Sequence, residues 1–222
     1  MARLPFITFE GSEGCGKSTQ VRRLTARLEN AGIAFLITRE PGGTAIGESI
    51  RDLLQFAPQS ASMTAETELL LFEASRAQLV REVIKPALKA GNCVIADRFF
   101  DSTTVYQGVA RKLDGKIVAQ LNAFAVADCM PDVTFVLDVD LKTAQARMKG
   151  PRRPDRMEMQ SEDFYERVIE GYRKLAEAEP KRIMLIDGSR SPDEIESEIW
   201  RTITSRFPIL GPSNIKHRSS NI

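Results

Sequence analysis

The residues best suited to chemistry are Gly11-Ser12-Glu13-Gly14-Cys15-Gly16-Lys17-Ser18-Thr19, set directly after the apolar run Phe6 to Phe9 and directly before a stretch of helical period. They match G-x-x-x-x-G-K-[ST] in the strand-to-helix context that this pattern requires. The glycines let the backbone curl until successive N–H groups face inward onto phosphate oxygens, and the helix that follows adds positive potential. Lys17 is placed to reach the β and γ phosphates of a nucleotide, and Ser18 to ligate magnesium. Glu13 is out of character in such a loop. A carboxylate weakens phosphate binding unless it faces away from the nucleotide, and the hydroxyl of a second substrate is a suitable target.

Two further clusters extend this chemistry. The apolar run Cys93 to Ala96 ends in Asp97-Arg98, where Asp97 can hold magnesium water and Arg98 offers a guanidinium to a second phosphate group. Between two helical patterns lies a basic segment containing Arg147, Lys149, Arg152, Arg153 and Arg156 against the single acid Asp155, with Gly150 and Pro151 to let it hinge. Phosphoryl transfer spreads charge over oxygens that one lysine cannot cover, so this segment is read as a short lid whose arginines act catalytically, Arg153 first, then Arg156 and Arg152. A guanine-reading Asn-Lys-x-Asp string is absent, and no strand ends in an Asp-Glu pair. Transfer to a small acceptor is therefore expected, rather than a GTPase switch or a motor.

The elements that must position these groups alternate along the 222 residues. Apolar runs at Phe6 to Phe9, Ile33 to Ile37, Cys93 to Ala96, Val133 to Leu137 and Ile183 to Ile186 read as buried strands separated by helical patterns. That rhythm predicts an α/β fold: a doubly wound, parallel, five-stranded sheet with helices on both faces. Helices are predicted over Lys17 to Ala31 with Gly32 as the stop, Thr64 to Ala90 with a kink or break at Pro86, Asp114 to Val126, Ser161 to about Glu179, and from the capping box at Ser191-Pro192-Asp193-Glu194. Neither repeats nor low-complexity stretches occur. One domain over residues 1–207, with a lid at about 149–160, and a loosely ordered tail over 208–222 are expected.

Composition removes other chemistries. Lys plus Arg total 31 against 30 for Asp plus Glu, a net charge of +1 that is too weak for wrapping nucleic acid. Cys15, Cys93 and Cys129 form no CxxC pair and the only histidine is His217, which excludes zinc clusters, disulfide scaffolds and Ser/His/Asp triads. No run of about 18 apolar residues occurs, and the start shows no secretory pattern, so a cytoplasmic protein without membrane or nucleic-acid partners is expected.

Four ordered strings resemble the thymidylate kinase family, over about Phe6 to Phe207: Phe9 to Thr19, Thr38-Arg39-Glu40-Pro41-Gly42-Gly43-Thr44, Leu71-Phe72-Glu73-Ala74-Ser75-Arg76-Ala77-Gln78, and Asp97-Arg98-Phe99 through Ser102 to Gly108. Phe99 stands where the family usually has Tyr, and the lid is short and rich in proline. The resemblance implies transfer of the ATP γ-phosphoryl to dTMP with magnesium as cofactor, on a P-loop kinase fold, and the dimer usual in the family. It implies that Phe72 stacks on thymine, that Arg76 donates to the base O4, and that Thr103 and Gln107 lie near the N3 edge. It also places Tyr106 under the deoxyribose, Glu13 on the 3′-hydroxyl, and Glu40 and Arg51 around the acceptor phosphate and its magnesium water. Cytosine would set a donor against the Arg76 donor, burying an unpaired group at a cost of about 1 to 3 kcal/mol. Another nucleoside or nucleotide kinase is the nearest alternative, and a GTPase switch a more distant one.

Overall fold

The structure, a computed structural model, describes residues 3–148 and 155–211. Five parallel strands, β1 (Phe6–Glu10), β2 (Phe35–Arg39), β3 (Cys93–Asp97), β4 (Val133–Asp138) and β5 (Ile183–Asp187), form one sheet in the order β2-β3-β1-β4-β5. The expected doubly wound sheet is what forms. Alternate side chains divide between its faces. Ile7, Phe9, Cys93, Ile95, Phe135 and Leu137 pack with α1 (Lys17–Asn30) and the C-terminal helix Pro192–Arg206. Phe6, Val94 and Ala96 on one part of the opposite face, and Val136 on another, are covered by the helices between them in sequence. Nearly all are fully buried, which is why these strands read as unbroken apolar runs.

The connection from β1 crosses to β2 at one edge, and β4 lies on the other side of β1, so strand order reverses beside β1 and β3. The chain leaves both strands into the crevice at this switch point, and that crevice is where an open parallel sheet presents a ligand site. The phosphate loop follows β1 and Asp97-Arg98 ends β3, so two remote motifs become neighbours.

Local differences from the expected elements have physical reasons. β2 starts two residues late because Ile33 belongs to the end of α1: Gly32, at φ 64°, and Ile33 donate backbone bonds to Glu29 and Leu28, a Schellman closure with Ile33 packed in the same core as Leu28. The segment over 64–90 does not break at Pro86. It runs as α3 (Ala65–Leu79), a π turn at Val80–Ile84, and α4 (Lys85–Lys89). The π turn lets the Lys85 N–H reach back to Val80 and leaves Pro86 in a first-turn position, where its missing N–H is harmless. Not anticipated were α2 (Ala45–Gln55), capped by the Thr44 hydroxyl; a 3-10 turn at Pro58–Ser62; α5 (Phe100–Thr103), which runs on as a π turn through Ala110; and α7 (Leu141–Met148), whose Thr143 N–H is capped by Asp140. The remaining helices are α6 (Gly115–Val126), α8 (Glu162–Ala178) and α9 (Pro192–Arg206). The expected loose tail is corrected at its start: Pro208–Leu210 forms a 3-10 turn and Leu210 is fully buried in the core, while residues 212–222 lie outside the described residues.

Candidate active site

Gly11, Gly14 and Gly16 all have positive φ, which curls the loop around the start of α1. At Gly14 the requirement is also steric, since a Cβ there would sit 2.4 Å from the Ala144 carbonyl oxygen. The Lys17 ammonium is folded onto the loop, donating to the carbonyls of Gly11 at 3.1 Å and Ser12 at 2.8 Å. A phosphate would replace these neutral acceptors with charged ones. Ser18 is exposed and donates to Asp97 Oδ2 at 3.0 Å, so the two residues expected at a metal are in contact. Among the described residues no group of three His, Cys, Asp or Glu side chains is arranged to hold a metal ion by itself. A hydroxyl and a carboxylate are hard oxygen donors, and they fit magnesium, which takes one or two protein oxygens and completes its shell with phosphates and water.

Arg98 faces Glu13 across the crevice. Its Nη2 donates to Glu13 Oε1 at 2.7 Å, and the Tyr106 hydroxyl donates to Glu13 Oε2 at 2.7 Å. Burial pushes the Glu13 carboxyl up, but Arg98, Lys17 and the Tyr106 bond outweigh it and hold the group below the usual carboxylate range. Arg98 occupies a left-handed conformation at φ 71°, a strained state for a side-chain-bearing residue. Glu10, at the end of β1, keeps it there: its carboxylate accepts from the Phe99 backbone N–H at 2.7 Å, the Ser102 hydroxyl at 2.6 Å and the Tyr172 hydroxyl at 2.7 Å. Glu10 and Tyr172 were not anticipated as site residues. A carboxylate closing an otherwise apolar strand was the available clue.

A cavity of about 280 Å³ opens between these groups, lined by Glu13, Lys17, Ser18, Glu40, Arg51, Phe72, Asp97, Arg98, Thr103, Tyr106 and Gln107. Glu13, Gly14, Lys17 and Ser18 of the phosphate loop and every expected acceptor residue except Arg76 therefore share one space. Phe72 is half-buried on the cavity wall rather than in the core. Arg76 lies behind the wall, 1% exposed, with its five N–H donors directed at Glu40, Glu73, Asn122 and Thr103. A direct bond from Arg76 to a base carbonyl would require one of these acceptors to be given up. As placed, it meets the cavity through the Thr103 hydroxyl, which accepts from Nη2 at 3.0 Å.

One guanidinium thus serves two buried carboxylates, and each keeps an oxygen without a partner: Glu40 Oε1 and Glu73 Oε2. Burial, only partly offset by Arg76, pushes the Glu40 carboxyl up to about 7, with Glu73 and Glu10 adding repulsion. Arg51, carried in by α2, donates to the Pro41 carbonyl at 3.1 Å.

The basic segment divides. Arg152 and Arg153 lie outside the described residues. Arg156, also expected to act catalytically, has its guanidinium held by Glu68 at 2.6 Å and by the Leu54 carbonyl at 2.9 Å, and it does not line the cavity. Asp155, Met157 and Glu158 line it instead. Arg147 donates to the Gly188 carbonyl at 2.9 Å beside a second cavity, of about 190 Å³, behind the phosphate loop, lined also by Cys15, Thr19, Gln20, Arg190 and Pro192. The turn Gly188 to Arg190 between β5 and α9 was not anticipated in this role.

The thymidylate kinase family matches residues 9–199. A thymidylate kinase of Kosmotoga olearia is 46% identical over 206 residues, covering 93% of this chain and 98% of the relative. That of Fervidobacterium nodosum is 48% identical over 200 residues, covering 90% and 98%. A crystal structure of thymidylate kinase from Ehrlichia chaffeensis, 33% identical, superposes with a TM-score of 0.74 over 91% of this chain and 99% of that one.

Proposed function

This chain belongs to the thymidylate kinase family, and from that premise we infer that it transfers the γ-phosphoryl group of ATP to dTMP, giving ADP and dTDP. The observation that carries the reading is the single cavity in which Lys17, Ser18 and Arg98 share walls with Phe72, Thr103 and Gln107. One end is cationic and suited to phosphates. The other offers an aromatic face and polar groups for a base.

Two unit charges 4 Å apart repel by about 4 kcal/mol at an effective dielectric near 20, so cations must gather before the two nucleotides can react. Lys17 takes the donor phosphates and Arg98 the acceptor phosphate, with Arg39 and Arg51 at the same cavity. Ser18 and Asp97 would hold magnesium, which supplies charge neutralisation on the donor phosphates. The acceptor phosphate, with a second pKa near 6, is already ionised at neutral pH, so no general base is required. Glu13, turned toward the acceptor side by Arg98 and Tyr106, is suited to the 3′-hydroxyl, and Tyr106 closes the space beside the sugar. The orphaned Glu40 Oε1 suits a water at the acceptor phosphate. The second cavity, with Arg147 and Arg190, suits the donor base. Arg152 and Arg153 are assigned to the phosphoryl charge, residues 149–160 to a lid on a kinase domain spanning 1–207, and the assembly to a homodimer. Among the described residues no helix is long and apolar enough to cross a membrane.

The test is a substrate panel: ATP with each deoxynucleoside monophosphate, followed by ADP release. Preference for dTMP is expected. Equal rates with dTMP and dCMP would overturn the assignment of the base pocket.

A further inference from the structure

Behind Gln107 lies a carboxylate that neither touches the cavity nor belongs to the phosphate machinery. Glu68, on the first turn of α3, is 1% exposed. Its Oε1 accepts from Gln107 Nε2 at 2.7 Å and Arg111 Nε at 3.2 Å, and its Oε2 from Arg111 Nη2 at 3.0 Å and Arg156 Nη2 at 2.6 Å. Groups from two separate parts of the chain, Gln107 with Arg111 and Arg156, converge on this one side chain. Phe72, one turn further along α3, lines the cavity, as does Thr103, one turn before Gln107.

The consequence concerns the polarity of Gln107. A primary amide carries a donor end and an acceptor end, and either can face a ligand unless something behind it chooses. An ionised carboxylate can only accept, so the amide nitrogen must face Glu68. Two arginines on that carboxylate keep it ionised: burial pushes the group up, but the bonds from Arg111 and Gln107 and the charge of Arg156 bring it below the usual carboxylate range. Gln107 is itself 1% exposed and lines the cavity, whereas Glu68 does not, so the end left for a ligand is the carbonyl oxygen.

We propose that Glu68 is a specificity-positioning residue: by fixing the Gln107 amide with its oxygen toward the cavity, it selects bases that present an N–H there, as thymine and uracil do at N3, over cytosine, which presents a lone pair. The proposal rests on the dTMP-kinase reading above. Arg111 and Arg156 take part by keeping Glu68 charged. This also gives Arg156 a role away from the reacting phosphates.

In Glu68→Gln the neutral side chain can donate or accept, so the Gln107 amide is free to turn over. The measurement is kcat/KM for dTMP, dUMP and dCMP in the unaltered protein and in Glu68→Gln, with kcat and KM separated. Expected is a fall of about tenfold in the dTMP-to-dCMP ratio, carried mainly by KM for dTMP, with the dTMP-to-dUMP ratio unchanged because both bases share the N3 edge. In a Gln107→Leu background the same substitution at Glu68 should leave the ratios unmoved, since it acts through the amide. A uniform loss on all three acceptors, or a persisting effect in the Gln107→Leu background, would overturn the proposal and make Glu68 a packing residue. Should Glu68→Gln fail to fold, Glu68→Asp keeps the charge but withdraws it from Gln107; a smaller fall in the same ratio supports the proposal and an unchanged ratio overturns it. An unaltered protein without preference for dTMP over dCMP overturns the base reading together with the role built on it; an unaltered preference that survives in Glu68→Gln overturns the role of Glu68 alone.

Discussion

In the loop from Gly11 to Ser18 the binding groups are backbone donors and one lysine, and the residues that shape it are contiguous in sequence. Across the same cavity, the wall from Glu40 to Gln107 binds through side chains whose orientation is set from behind by buried ions: Arg76 shared by Glu40 and Glu73, and Glu68 shared by Arg111 and Arg156. The loop's geometry depends on φ angles that glycine supplies without strain. The wall depends on buried carboxylates whose pKa values are moved from the ordinary one, Glu40 upward by burial and Glu68 downward by its partners. Backbone donors do not titrate, whereas on the wall Glu40 is moved toward neutral pH.

Five substitutions test this contrast, in descending order of effect. Lys17→Met removes the loop's one side-chain cation, and kcat should fall at least about a thousandfold with the thermal midpoint nearly unchanged, measured by ADP release and calorimetry. Residual activity within tenfold would mean that the backbone donors suffice. For the basic segment, Arg153→Ala should lower kcat by at least about a hundredfold, with poor rescue by lysine, which lacks the bidentate fork. Arg156→Met should lower kcat by less than about tenfold, because the side chain is bound to Glu68. The reverse ranking would return Arg156 to the phosphates.

Glu13→Gln should weaken dTMP by about tenfold while barely affecting a 3′-deoxy acceptor, since only the former loses a charge-assisted bond. Equal losses would leave Glu13 as a structural partner of Arg98. The smallest effect concerns stability. With its folded pKa raised from 4.5 to about 7, the Glu40 carboxyl is protonated in the folded chain and ionised in the unfolded one between these values. The stability it contributes is thus full below about pH 4.5 and declines as pH rises toward 7, by about 1 kcal/mol per pH unit in the middle of that window. Urea midpoints at pH 5 and pH 6.5 should show this decline in the unaltered protein and a shallower one in Glu40→Gln. Parallel slopes would show that Glu40 is ionised throughout.

How far the sequence led differs between the two regions for the same reason. The phosphate loop, the Asp97-Arg98 strand end and the five strands were legible because each is a local pattern whose neighbours are adjacent in the chain. Helix α2 was missed because the Pro41-Gly42-Gly43 run before it reads as a loop, and Gly47 lowers its helix propensity, although Gly47 lets the helix start close over the Gly42 carbonyl. The late start of β2 was missed because an apolar Ile33 is the same evidence for a strand as for a Schellman contact. Arg76 and Arg156 were recognisable as cations, but a residue type does not say which acceptors it will meet.

By itself, then, the sequence determined the parallel sheet, the phosphate cradle and the class of reaction, since periodicity, glycine conformation and strand-to-helix motifs act over a few residues. Only the tertiary structure decided which ions stand behind the acceptor wall. Glu68 meets Gln107, Arg111 and Arg156 from 39, 43 and 88 residues away, and Arg76 meets Glu40 from 36. Such pairings follow from where the sheet and its helices place those positions, and burial makes each of them strong because no water remains to compete.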